Sequence, residues 1–162
     1  MKLISSSART LTLRLLLLTT LITIAAFVVA QTSAKPAGDI PAASQMQPAD
    51  LVQAMKSAQK PLVLYVGPKA FYAQGHIPGS EFIGPVGKPE GMEKLRARIA
   101  VLPKDSAVVI YCGCCPWDHC PNIRPAFAEM KKEGFSKVSV LYIQTGFGTD
   151  WKDKGLPVAS GE

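Results

Sequence analysis

Outside one nine-residue stretch, positions 112–120, the chain has no cysteine at all; its four cysteines fall inside it. A disulfide framework would scatter them, so this distribution excludes a cystine-stapled scaffold and points to sulfur chemistry or metal capture at one place. Basic clusters interleaved with aromatic residues are also missing, and the formal net charge is only +6. No nucleic-acid partner is expected. No internal repeat is present, which excludes a solenoid. The N-terminal segment lacks Arg-Arg, and no cysteine follows its apolar run. Those absences argue against twin-arginine export and against a lipoprotein.

What is present begins with Lys2, Arg9 and Arg14 ahead of an apolar run over residues 15–30 that ends in Val28-Val29-Ala30. A basic region, an apolar run and a small-residue exit describe a secretory signal peptide over residues 1–30, cleaved after Ala30 or, as second choice, after Ala34. The run is short of the roughly 20 residues a spanning helix needs. An uncleaved membrane anchor is the alternative. The protein is thus expected to be exported, periplasmic or secreted, and to touch membrane only through this segment if it is retained. About 130 residues remain, enough for one compact domain. An oxidising compartment would press idle thiols to pair.

Residues 31–46 are rich in Ala, Pro, Ser and Gln and are expected to be a flexible linker, with the domain over residues 47–160. Leu51, Val52, Met55 and Ala58 recur at helical spacing, predicting a helix over 50–58. The unbroken apolar runs 62–66 and 107–111 predict strands, as do the brief 81–83 and the segment 138–143. Helices are expected over 69–74, over 89–102, and from about Pro125 to Lys132 with Gly134 as its stop. Residues 146–155 form a loop or short helix around Trp151. Continuous apolar strands alternating with helices imply a parallel sheet covered on both faces. Such sheets collect ligands where strands give way to helices. The cysteine stretch lies at such a junction.

Three motifs carry a resemblance over residues 48–158. They are Gly75-His76-Ile77-Pro78-Gly79-Ser80, then Val108-Val109-Ile110-Tyr111-Cys112, then Thr145-Gly146-Phe147 with Trp151 and Gly155-Leu156-Pro157-Val158. In order and spacing the chain resembles the rhodanese family of sulfurtransferase domains. The resemblance implies a three-layer α/β/α domain with a mainly parallel five-stranded sheet. It also implies a transferase activity, thiosulfate sulfurtransferase-like, in which a cysteine accepts sulfane sulfur as a persulfide and passes it to a thiol or other acceptor. The partners implied are a small-molecule sulfur donor and a thiol acceptor, with no cofactor, and the nucleophile falls on Cys112. Two departures stand out. Tyr65 and Gly67 occupy positions where the family usually has Asp and Arg, and the loop is extended, with Arg124 twelve residues beyond Cys112.

A persulfide-forming cysteine must be a thiolate near neutral pH, although an ordinary thiol titrates near 8.5. The helix expected after the loop offers unpaired N–H groups and a dipole. Arg124 at its start offers a fixed positive charge for an oxyanion leaving group, unless it is only a solvated first-turn residue. Cys112 follows the strand, whereas Cys120 lies closest to the helix start, and either is a candidate nucleophile. Cys114 and Cys115 are candidate resolving thiols. Alternatively, the extra cysteines form a structural disulfide that pins the loop. Trp117 and His119 belong to a candidate substrate loop, against plain packing and plain exposure. Thiol–disulfide exchange is a second enzymatic reading. The third is a non-catalytic copper- or zinc-binding module, since the four thiols and His119 are soft or borderline ligands; the loop lacks the second ligand segment usual for structural zinc, and no metal site is assigned. His76, Trp151, Phe71, Tyr72 and Tyr111 read as structure.

Overall fold

The computed structural model describes residues 39–161. The signal peptide expected over 1–30, and the first part of the linker, lie outside them. Among the described residues, no helix is long and apolar enough to cross a membrane.

Five short strands form the sheet: β1 (Gln45–Met46), β2 (Leu62–Tyr65), β3 (Glu81–Phe82), β4 (Val108–Tyr111) and β5 (Val138–Leu141). Their order is β1-β5-β4-β2-β3, and all pairs are parallel. At the centre, Leu62 to Tyr65 of β2 pair in register with Val108 to Tyr111 of β4. All four β4 residues are buried, as expected for a strand covered on both faces.

Strand side chains alternate between faces, and that alternation builds two cores. Val108, Ile110 and Cys112 pack on one side with Leu95 and Ile99 of α3 (Pro89–Ala100) and with Ala126, Phe127 and Met130 of α4 (Ile123–Lys132). Val109 and Tyr111 pack on the other with Leu51 of α1 (Pro48–Met55), Tyr72 of α2 (Lys69–Gln74), and Phe147 of α5 (Phe147–Asp150) next to Trp151. The result is three layers with a parallel five-stranded sheet in the middle, as expected.

The linker boundary needs correction. Gln45 and Met46 pair with Val140 and Leu141, and Ile40 is buried in the first core. The ordered domain therefore begins before residue 47. A two-residue strand in a polar segment is too short to show an alternating pattern.

The Gly75–Ser80 motif is a brace. Ser80 N–H closes a turn on the Ile77 carbonyl, with Pro78 and Gly79 between them and Gly79 at φ 77°. That is the type II geometry, which favours Pro then Gly. Tyr111 Oη accepts the Ile77 N–H and pairs with Ser80 Oγ, both at 3.0 Å. His76 stacks on Tyr72 at 3.8 Å and is bridged to Ala159. This strap fixes the end of β4 from which the cysteine loop departs.

On the opposite face, Arg96 of α3 grips Glu129 of α4 with two hydrogen bonds, at 2.7 and 3.2 Å. The Arg96 hydrogen bonds hold the Glu129 carboxyl below its ordinary range. A lowered folded-state value means stability present above the unfolded value, about 4.3, and lost as pH falls through the folded value. Urea midpoints of wild type and Arg96→Met are expected to differ at pH 6 and to converge on acidification below about pH 4. A difference that stays constant over that range would refute this role.

Candidate active site

Immediately after β4 the chain turns through Cys112-Gly113-Cys114-Cys115-Pro116 into a 3-10 turn at Trp117–His119, then through Cys120-Pro121-Asn122 into α4. The loop is pinned from several directions. Gly113 O accepts Phe147 N–H (3.1 Å), and Trp117 N–H reaches Gln144 O (2.9 Å). A Cβ at Gly113 would collide with Phe147, so this close approach requires glycine. Trp117 is buried and packs on Tyr142 with ring centroids 4.9 Å apart.

These constraints gather the sulfurs. All four thiols are free. Cys112 Sγ lies 3.3 Å from Cys114 Sγ, which lies 3.1 Å from Cys115 Sγ. Cys120 belongs to the same buried cluster as Cys112. Cys112 and Cys120 are only 4% and 6% exposed, while Cys114 and Cys115 are half-buried.

Asn122 Nδ2 reaches Cys112 Sγ at 3.5 Å, and Cys120 stands immediately ahead of the first turn of α4. Cys120 is drawn down to about 6, first by the Cys112 thiol and then by the Asn122 and Ile123 amides. Cys112 is pushed up, first by the Cys114 and Cys120 thiols and then by burial. Cys114 is drawn down to about 6, first by Cys112 and then by Cys115. Cys115 is pushed up, by burial first and then by Cys114. Thiols this close titrate as a set, and the fixed amides favour the negative charge on Cys120.

Asn122 is the residue sequence reasoning missed. Asparagine at a helix N-cap ordinarily bonds the first-turn amides, yet here its side chain makes no cap. Oδ1 instead accepts the Gly87 N–H at 3.0 Å while Nδ2 points at Cys112 Sγ. Its only signal in the sequence is its place beside the helix start.

Arg124 is placed differently from the expectation of an anion clamp. Nη1 donates to the Trp117 carbonyl at 2.8 Å, and Nη2 faces Asp39 and Asp118 at 3.5 and 3.9 Å. Those contacts brace the loop, because the two carboxylates and the carbonyl draw the guanidinium to themselves. Trp117 belongs to the apolar cluster that includes the cysteines, so it walls the sulfurs. His119 is exposed at the end of the 3-10 turn.

The residues that replace the missing Asp and Arg also meet the sulfur. A Cβ at Gly67 would lie 2.6 Å from Tyr65 Oη and 2.8 Å from Cys112 Sγ. Glycine there lets the phenol and the thiol close over the strand ends. Burial, followed by the neighbouring Cys112 and Cys114 charges, pushes the Tyr65 phenol well above its ordinary value, so it stays protonated. A cleft of about 250 Å³, lined by Tyr65, Phe71, Gly75, Gly113, Phe147 and Lys152 among others, opens beside the first turn of the loop.

The fold has solved counterparts. The Alr3790 protein from Anabaena sp. superposes with a TM-score of 0.55 at 20% identity, over 71% of this chain and 82% of that one. The BH2092 protein from Bacillus halodurans gives 0.54 at 22% identity, over 72% and 76%. Among curated proteins none matches the chain significantly. Residues 48–149 match the family profile described as Rhodanese-like domain. With that match over more than half its length, its parallel sheet and a cysteine cluster where β4 ends, the chain belongs to the rhodanese-like domain family.

Proposed function

We propose that the chain is a sulfur-transfer protein that carries a sulfane sulfur as a persulfide on Cys120, with Cys112 as its hydrogen-bonded partner. One observation carries the reading: Cys120 stands at the end of the 3-10 turn, immediately ahead of the first turn of α4. A helix N-terminus favours an anion in this position, and the Cys112 thiol and then the Asn122 and Ile123 amides draw the Cys120 thiol down to about 6. Cys112 holds the place the family motif assigns to the nucleophile, but its thiol is pushed up by the Cys114 and Cys120 thiols and by burial.

In the first step the Cys120 thiolate attacks the outer sulfur of a persulfide or polysulfide donor. A Cys120 S–S bond forms, the donor's S–S bond breaks, and the donor leaves as a thiolate with the electron pair. In the second step an acceptor thiolate attacks the outer sulfur and Cys120 leaves as a thiolate. The two steps sum to no net oxidation. The amides stabilise the sulfur anion before and after each step, and Arg124 acts as a positioning residue through Trp117. The cleft beside Gly113 is where an acceptor docks in this reading. Export by the N-terminal segment belongs to the same proposal.

The test uses the reduced full chain, exposed to a polysulfide and desalted. Its mass is expected to rise by one sulfur atom, and a small thiol is expected to discharge that sulfur. A chain that gains no sulfur would overturn the reading.

A further inference from the structure

We propose that Cys112, Cys114 and Cys115 also form a binding site for a single thiophilic d10 cation, copper(I) in preference to zinc. This goes beyond sulfur transfer and uses the three sulfurs other than that of Cys120.

The geometry is close to what such an ion needs. The sulfurs of Cys112, Cys114 and Cys115 all lie within 4.8 Å of one another, with near contacts of 3.3 and 3.1 Å. Metal–sulfur bonds of about 2.3 Å in a tetrahedral site set the sulfurs roughly 3.8 Å apart. The two near contacts are somewhat shorter than that value, so small side-chain rotations that part the sulfurs suffice.

The preference for copper(I) follows from ligand type and origin. All three donors are sulfurs, which select soft ions. They come from one short loop, whereas structural zinc sites usually pair ligands from two segments. Three sulfurs drawn from positions 112, 114 and 115 suit an ion content with two or three ligands. The loop is already held by Phe147 and Gln144 through backbone bonds, so little ordering remains for binding to impose. Cys112 and Cys120 are buried and Trp117 packs in the same cluster, which shields the ion from water. The half-buried Cys114 and Cys115 leave a way in. Each thiol that binds releases its proton to solvent as its sulfur–copper bond forms. Copper enters and stays as the monovalent ion, so no electron moves.

The experiment is an anaerobic titration of the reduced full chain with copper(I) against a chromogenic copper(I) chelator, with a parallel arm for zinc and a zinc indicator. One copper(I) per chain is expected to leave the chelator, with a near-ultraviolet sulfur-to-copper charge-transfer band. One equivalent of copper(I) is expected to displace any zinc. The double variant Cys114→Ser, Cys115→Ser is expected to lose both the band and the capture while keeping the wild-type far-ultraviolet circular dichroism. Copper left on the chelator by the wild-type chain would overturn the proposal, as would undisplaced zinc or equal capture by the folded double variant. Sulfur loading of the metal-free chain is read separately by mass. A chain that loads sulfur but leaves copper on the chelator overturns the metal site alone; one that takes copper but no sulfur overturns the transfer reading alone.

Discussion

Replacing Cys120 by serine is expected to lower the initial rate of sulfur uptake by about tenfold or more, because a hydroxyl at that position stays protonated and is a poor nucleophile. The residual uptake should appear on Cys114, which is half-buried and whose sulfur is also drawn toward the thiolate by its neighbours. Replacing Cys112 by serine should act more mildly, within about threefold, because the hydroxyl can still donate to a neighbouring sulfur anion, and hydrogen bonds to charged groups are the stronger ones. The ratio between the two variants is the informative quantity. It separates a nucleophile from the partner that positions it. Equal losses in both, or a larger loss in Cys112→Ser, would move the persulfide to Cys112. Stopped-flow or quenched-flow mass measurements on the reduced, metal-free chain give both rates.

Gly67→Ala is the second substitution expected to have a large effect. Its new methyl would lie 2.6 Å from Tyr65 Oη and 2.8 Å from Cys112 Sγ, distances that non-bonded carbon does not tolerate. Tyr65 is wedged among Tyr72, Phe82 and Tyr111, with ring centroids at 5.3, 6.2 and 5.1 Å, so the phenol has little room to retreat. The sulfur and the start of the loop must give way. Overpacking of this kind costs about 1–3 kcal/mol of stability. The loop that begins at Cys112 also carries Cys120, and a displacement of about 1 Å passed along it to the reacting sulfur costs roughly a hundredfold in rate. Sulfur uptake should therefore fall far more than the urea midpoint does. A variant that loses stability but takes up sulfur at the wild-type rate would show that the start of the loop does not position the reacting sulfur.

Much of the fold is legible in the sequence because its strands are unbroken apolar runs and its helices have regular spacing. Val108 to Tyr111 read as a buried strand and are one, and Lys69–Gln74 is a helix with the expected bounds. β1 was hidden because Gln45 and Met46 acquire their strand geometry only by pairing with β5. The site was legible as a place, since four cysteines at a strand-to-helix junction mark it. The internal division of labour was not. Which sulfur meets the amides depends on how nine residues fold back, and nothing in local spacing encodes that. Arg124 illustrates the difficulty. Its position at the helix start suggests an anion clamp, yet its direction is set by the Trp117 carbonyl and by Asp39, a residue far away in sequence. Asn122 is the converse case. It looks like an ordinary cap, and only the approach of the Gly87 loop draws its side chain toward Cys112.

The central claim is that sulfur resides on Cys120. The most direct measurement loads the reduced chain with polysulfide, alkylates it without reductant, digests it and assigns the extra sulfur among the four cysteines by tandem mass spectrometry. The account predicts one sulfur per chain, found on Cys120. Sulfur carried on Cys112 with Cys120 unmodified would contradict it.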